Sequence, residues 1–519
     1  MAAARNKSLA AMLGSLLILA GCGGGGGSPA ANGNLGNSAD LAYADPTHYS
    51  SAADASLAAA NEQAAQMHGQ LTLNGQAIRY TATSGHLTAS DPRNGLPEAS
   101  FFYVAYTADS QDAAKRPLTF FYNGGPGSAT IWLHMGSYGP KRIATNAPAT
   151  VLSSPVQFID NAESLLDTSD LVFVDAVGTG YSQAIAPNTN QSFWGVDQDA
   201  AVFRDFVMRY VSVNLRAASP KFLFGESYGA PRTAVLANLL EVAGLRLNGL
   251  VLQSSILNYN SNCGVFNPGA VSCEGFVPSY AAIGAYYNLS NPVPTDLAAY
   301  LLQIRAFSAA SYRPAVTAYI TSKTAPTADL VTQMVNYTGL AAGYWQQNFN
   351  LDPGTFQFSL LPGRLMGRYD ARIYANFGTA LASEGDPSST LISGAFASTL
   401  SGYLANQLKY TANSSYTVSA NAVASWDFRH DGLSVPDTLP DLAAALALNP
   451  ALKVMALNGY HDLATPFYQT ELDLARLGSN ANIQVRNYSG GHMNYLDDAS
   501  RRLAKAELVN FYAAAVAAH

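Results

Sequence analysis

Cysteine is scarce, with three residues in 519, so a dense disulfide scaffold is excluded. Charge is scarce as well: Asp, Glu, Lys and Arg make up 12% of the chain, and no stretch gathers Lys and Arg into a run. With 28 basic against 35 acidic side chains the net charge is −7. That balance lacks the basic footprint that nucleic acid demands, so nucleic acid is not an expected partner. No internal repeat is present. What the chain does have is apolar side chains, at 48%, enough for a large globular core. The length allows two or three domains, or one large domain carrying an insertion.

The N-terminus reads as a targeting segment. Arg5 and Lys7 precede an apolar stretch, Leu9 to Ala20, too short for a comfortable membrane span. It ends in Leu19-Ala20-Gly21-Cys22, which resembles a bacterial lipobox, in which the Cys becomes the new N-terminus and carries a lipid. Residues 1–21 are expected to be a signal peptide of the lipoprotein type. Removing them takes away two basic groups and no acid, moving the net charge from −7 to −9. Residues 22–60 are expected to be a flexible tether, because Gly23 to Gly27 and the Ser/Ala/Asn/Gly run behind them cannot bury a core. An exported protein lipid-anchored to the cell envelope follows, with the membrane reached through Cys22. In the oxidising space that such a protein occupies, Cys263 and Cys273, ten residues apart, are expected to close a disulfide loop; two free thiols are the alternative. No His lies near this pair, so no metal is expected there, and no cofactor is implied elsewhere.

Along residues 61–255 the chain alternates strands and helices. Leu71-Thr72-Leu73, Ile78 to Ala82 and Phe101 to Tyr106 have strand character, as does Leu118 to Tyr122. Leu171 to Asp175 is a short continuous apolar run, as expected of a parallel strand buried on both faces. Asp197 to Tyr210 carries Val202, Phe203, Phe206, Val207 and Tyr210 on one helical stripe. A strand at Lys221 to Phe224, a helix from Ala230 to Val242 and a strand at Leu250 to Gln253 continue the rhythm. From 256 to 431 it breaks into a segment rich in Tyr, Asn, Pro and Ala. It resumes over 432–519 with strands at Lys453 to Leu457 and Ile483 to Tyr488 and a terminal helix from about Asp498 to Ala517. The pattern predicts an α/β fold: a mostly parallel central sheet with helices on both faces, interrupted by an inserted cap over 256–431.

Between one predicted strand and one predicted helix lies Gly225-Glu226-Ser227-Tyr228-Gly229. This G-x-S-x-G pattern is the nucleophile elbow, a sharp turn that exposes the serine hydroxyl. A serine nucleophile needs a base, and the base an orienting acid. Folds with this elbow run Ser, then acid, then His, which leaves His430, His461 and His492, since His519 is the fraying end. His492 follows a strand through Ser489-Gly490-Gly491, and Asp462 follows another, so Ser227, Asp462 and His492 all lie beyond strand C-terminal ends. His461 reads as a loop neighbour and His430 as the end of the cap. Asn123-Gly124-Gly125-Pro126-Gly127 also follows a strand, and its glycines can bring a backbone N–H against a developing oxyanion.

Taken together, Phe121 to Ser128, Gly225 to Ala230, Asn458 to Asp462 and Gly490 to Met493 resemble the motifs of the serine carboxypeptidase family (peptidase S10) of the α/β-hydrolase superfamily, in order and in spacing. Asn161 and Val174 to Ser182 resemble two further blocks. The likeness covers about residues 100–255 and 430–515; the cap matches little. The resemblance implies a serine-type carboxypeptidase that acts on peptides through an acyl-enzyme, with Ser227 attacking, His492 moving the proton and Asp462 holding the imidazole. It implies an oxyanion hole from the Gly125 and Tyr228 amides, and Asn123 and Glu226 binding the substrate's terminal carboxylate. Glu226 can do so only when protonated, because an ionised carboxylate has no proton to donate. Three positions depart from the family pattern: Phe121 for Trp, Ser128 for Cys, and Ser137 for a second carboxylate-binding Glu. The last leaves an esterase or acyltransferase using the same three residues as the alternative.

Overall fold

The computed structural model describes residues 39–519, apart from 151, 154, 267, 268 and 421. A ten-stranded sheet runs through it. In chain order the strands are β1 (Ala64–Leu73), β2 (Gln76–Ser90), β3 (Pro97–Ala108), β4 (Leu118–Tyr122), β5 (Asp170–Val174), β6 (Gln183–Ala184), β7 (Lys221–Glu226), β8 (Gly249–Gln253), β9 (Lys453–Gly459) and β10 (Ile483–Tyr488). Their spatial order is β10-β9-β8-β7-β4-β5-β3-β2-β1, with the short β6 on β3. From β10 to β5 every pairing is parallel, and β3, β2 and β1 continue the sheet as an antiparallel meander.

The parallel block is apolar on both faces because it is covered on both. Phe120, Leu223, Leu250 and Val454 point to one side, where helices α1 (Val196–Val213), α2 (Gly229–Val242) and α3 (Leu439–Leu448) bury Phe203, Leu236 and Leu442 against them. Their sequence neighbours Phe121, Phe224, Val251 and Met455 point to the other side. That side is covered by the terminal helix (Asp498–Ala517) and by Pro387–Gln407, a helix of the inserted segment. Side chains of this size each contribute about 1.5–3 kcal/mol on burial, which is why these strands read as continuous apolar runs.

Pairing register sets the site. Gly225 lies beside Tyr122, Glu226 beside Gln253, and Gln253 beside Leu457. The loops after β4, β7, β8 and β9 therefore emerge at one level. β4 sits between β5 and β7, so the chain leaves it in one direction and returns on the other side, which opens a crevice at the carboxyl ends of the strands.

Two expected boundaries shift. Residues 39–60, predicted to belong to the tether, are packed onto the fold. Tyr43–Asp45 pairs in parallel with Tyr410–Ala412, and the buried Asp45 accepts the hydroxyls of Tyr49 and Tyr410 at 2.9 and 2.8 Å. Tyr43, Tyr49 and Leu57 supply the apolar anchors that the Ala- and Ser-rich composition masked. Within 256–431, the part from Cys263 to about Leu361 builds a core of its own around Tyr280, Trp345 and Phe356, and a disulfide joins Cys263 to Cys273. The rest returns to the sheet. Residues 417, 419 and 427 form bridges to Gly180, Ser128 and Gly195. The end of the insertion is thus a strap laid over the strand ends rather than part of a separate cap. The strap ends at His430, whose two ring nitrogens meet Asp197 at 2.6 Å and Asp441 at 2.8 Å. Hydrogen bonds to these two carboxylates raise it to about 9 against the opposing effect of burial. His430 is a charged pin between strap, α1 and α3, a role that leaves it no free nitrogen for catalysis.

Candidate active site

Ser227 follows β7 directly and has φ 61°, the left-handed region that non-glycine residues rarely occupy. Its amide donates to the Gln253 carbonyl at 2.9 Å, which locks the turn. The turn also requires a close neighbour without a side chain. A Cβ on Gly124 would stand 2.4 Å from the Tyr228 nitrogen, so any other residue there would push the β4 loop off the elbow. Among the described residues the amides of Gly125 and Tyr228 have no acceptor, as two donors held for an oxyanion would. Arg232 pins this loop from beneath. It is fully buried, grips Asp199 through Nε at 2.6 Å, and donates from Nη1 to the Asn123 carbonyl at 2.7 Å.

Asp462 and His492 meet across the loops after β9 and β10. His492 Nδ1 lies 2.7 Å from Asp462 Oδ2. A carboxylate only accepts, so the ring donates from Nδ1 and leaves Nε2 as the acceptor. Asp462 is itself fixed: Oδ1 accepts the amides of Ala464 and Thr465, and Oδ2 accepts the Thr465 hydroxyl at 2.8 Å. Burial pulls the His492 imidazole down, but the Asp462 charge and hydrogen bond outweigh it, and the ring ends above its usual value. Neither the Ser227 hydroxyl nor His492 Nε2 has a hydrogen bond among the described residues; both residues line one cavity of about 560 Å³. Such contacts commonly tighten only when substrate arrives.

The same cavity contains Asn123 and Glu226. Asn123 Oδ1 accepts the Leu133 amide at 3.1 Å, which fixes the orientation of its amide group, and Nδ2 donates to Glu226 Oε1 at 2.7 Å. Glu226 Oε2 is buried and has no partner; the Tyr495 hydroxyl faces this carboxyl without completing a hydrogen bond of ordinary geometry. Burial pushes Glu226 up to about 7. Ser137 is fully buried and donates to the Leu133 carbonyl at 2.6 Å, so no second acid joins the pair. His461 donates no function here: its Nδ1 meets the Ser489 carbonyl at 2.7 Å, and burial lowers it to about 4.

Asn123, Gly125, Glu226, Ser227, Tyr228, Asp462 and His492 are therefore brought to one end of the sheet, whereas Cys263 and Cys273 sit in the inserted segment. Cys22 lies outside the described residues. Several contributors were not found by sequence reasoning. Tyr369, deep in the insertion, accepts the His492 amide at 2.6 Å and lays its ring 4.9 Å from the imidazole. Gly491 permits this, since a Cβ there would stand 2.3 Å from the Tyr369 oxygen. Asp175, in the block Val174 to Ser182 that the sequence marked without a role, accepts the Thr130 amide and the Tyr416 hydroxyl at 2.8 and 2.9 Å, tying the strap to the segment after β4. Thr465, three residues after Asp462, had the only local signal: a hydroxyl at the right offset to cap a turn.

Residues 73–253 match the family model described as serine carboxypeptidase. That stretch is serine carboxypeptidase-like. It holds Ser227, the loop after β4, Asn123 and Glu226, whereas Asp462 and His492 lie beyond it. No curated protein matches the chain. Among solved structures, the prohormone-processing carboxypeptidase KEX1(Δ)p of Saccharomyces cerevisiae is similar at 16% identity, with 84% of this chain and 91% of that one covered and a TM-score of 0.53. At that identity it shows the fold, which is that of the α/β-hydrolases. A proline iminopeptidase of Mycobacterium smegmatis has 15% identity, covering 84% of this chain and 99% of that one, with a TM-score of 0.37. A thermophilic esterase of Thermogutta terrifontis has 13%, 83% and 98%, with 0.36. Neither of these two carries weight on activity. The serine carboxypeptidase match and the fold together support a hydrolase.

Proposed function

We propose that the protein is a serine-type carboxypeptidase that releases C-terminal residues from peptides. The observation that carries this reading is the pair Asn123 and Glu226. A buried carboxyl with one oxygen engaged by an amide and the other open, in the cavity that holds Ser227, suits an anionic group of the substrate. In the protonated state Glu226 donates to that group, and Asn123 keeps a second N–H for it. Ser227 Oγ attacks the carbonyl carbon and its proton passes to His492 Nε2. Asp462 stabilises the imidazolium, and the Gly125 and Tyr228 amides hold the oxyanion. His492 then protonates the departing amine, leaving an acyl-enzyme that water opens by the same route. An esterase or acyltransferase is the second reading, favoured by Ser137: one acid, not two, faces the leaving group.

Glu226 supplies the test. Because its proton is held up to about 7, kcat/KM for peptides falls roughly tenfold per pH unit above that point. A neutral ester has no carboxylate to repel and keeps its rate there. At lower pH both substrates are limited by His492, which must be neutral to act as base. Protonated Glu226 removes one of the charges that raise His492, so the two required states coexist. Glu226→Gln donates at every pH and abolishes the alkaline fall for peptides alone. Coincident peptide and ester profiles in the wild type would rule out the carboxylate-binding role.

We further propose export and lipid attachment at Cys22. The wild-type chain partitions into detergent with an acylated N-terminus, and Cys22→Ala is soluble and equally active; an acylated, detergent-soluble Cys22→Ala protein refutes this.

A further inference from the structure

A second cavity, of about 460 Å³, opens on the other side of Ser227. The two share Ser227, Gly125, Ser128, Tyr369 and Ser419, but His492, Asn123 and Glu226 line the first. A general acid must reach the leaving group, so the cavity lined by His492 takes the leaving half of a substrate. The second then takes the acyl half.

Its walls are aromatic and apolar. Tyr259, Phe266 and Phe428 form a cluster with ring centroids 5.1 to 5.8 Å apart. Among the described lining residues Arg368 is the one charged side chain. It is exposed and forms none of the ion pairs found among the described residues, in a chain that carries net negative charge. The nearby carboxylates are engaged elsewhere: Asp352 caps Thr355, and Asp386 caps Ser388 and Ser389 while accepting the Arg368 backbone amide. Arg368 is also held in place. Its carbonyl accepts the Leu463 amide at 2.9 Å, and the next residue, Tyr369, accepts the His492 amide, so this loop is clamped between the acid loop and the histidine loop. Its positive charge is felt at Tyr259 and Tyr369, which line the same cavity.

From these contacts we infer that Arg368 selects an acidic side chain on the residue that precedes the scissile bond, with the aromatic wall taking its methylene stem. An unpaired guanidinium over a partly apolar cavity attracts a carboxylate and repels an ammonium. The inference rests on the acyl-transfer reading of the site but not on what leaves.

Two substrate sets keep these apart: N-acetylated Glu, Gln, Phe and Lys esters of one alcohol, and peptides with the same four residues before a common C-terminal residue. For the wild type, kcat/KM for Glu exceeds that for Gln by roughly fivefold, the scale of one half-solvated ion pair. Arg368→Gln brings that ratio to about one, Arg368→Lys keeps it, and Arg368→Glu turns the preference to Lys. A wild-type ratio near one, or a ratio that survives Arg368→Gln, overturns the inference. Esters turned over with the Glu preference while peptides stay intact would leave Arg368 standing and sink the carboxypeptidase reading. No turnover of either set sinks both.

Discussion

Ser227→Ala lowers kcat/KM by about 10⁴- to 10⁶-fold and leaves the melting temperature within roughly 2 °C of wild type. The two halves of that expectation have separate causes. Removing Oγ removes the nucleophile, and of the hydroxyl-bearing residues that the two cavities share, Ser227 alone sits on the elbow turn next to the free Tyr228 amide. The fold does not depend on that atom. The hydroxyl makes no hydrogen bond among the described residues, and the turn is held by the Ser227 amide and by the approach of Gly124 to Tyr228, neither of which Ala disturbs. Ala meets the same left-handed φ as Ser, so no new strain arises. Activity above a tenth of wild type would reject Ser227 as nucleophile.

Asp462→Asn reduces kcat by about 10⁴-fold without unfolding the protein. Asp462 Oδ2 accepts a hydrogen bond from His492 Nδ1–H, and this sets Nε2 as acceptor. Of the two groups of an Asn side chain, the oxygen remains suited to the Ala464 and Thr465 amides that Oδ1 now accepts. The NH₂ group is then turned toward His492, where it donates to Nδ1. The ring must shift its proton to Nε2 and can no longer accept from Ser227. Thr465 Oγ1, 3.0 Å from Nδ1, is a neutral hydroxyl and cannot replace the lost charge. The alkaline response is the check: hydroxide above pH 9 restores part of the rate if the tautomer is the cause, and a rate that stays within tenfold of wild type at pH 7 would contradict the role of Asp462.

The sheet was legible in the sequence because its signal is local. Runs such as Phe120 to Tyr122 and Leu171 to Val174 are buried on both faces, and each reads as a strand without knowledge of its partner. The site's outline was legible for the same reason, since Ser227, Asp462 and His492 each follow a strand through a recognisable turn. What was missed is long-range. The Tyr369 contact with His492 spans more than a hundred residues, and Asp175 meets Tyr416 across 241. Neither leaves a periodicity or a turn motif behind. Arg232 reads as one more polar residue on a helix, and only its pairing with Asp199 and the Asn123 carbonyl distinguishes it. Residues 39–60 were misjudged because composition averages over a window, whereas Tyr43, Tyr49 and Leu57 act as single anchors.

The most direct measurement pairs one peptide with its C-terminally amidated form and reads both digests by mass spectrometry, with Ser227→Ala as control. The proposed function predicts stepwise loss of single residues from the free-carboxylate peptide, an amidated peptide cleaved at least tenfold more slowly, and no loss with Ser227→Ala. Equal cleavage of both forms, cuts within the chain, or an intact free-carboxylate peptide beside rapid ester hydrolysis would contradict it.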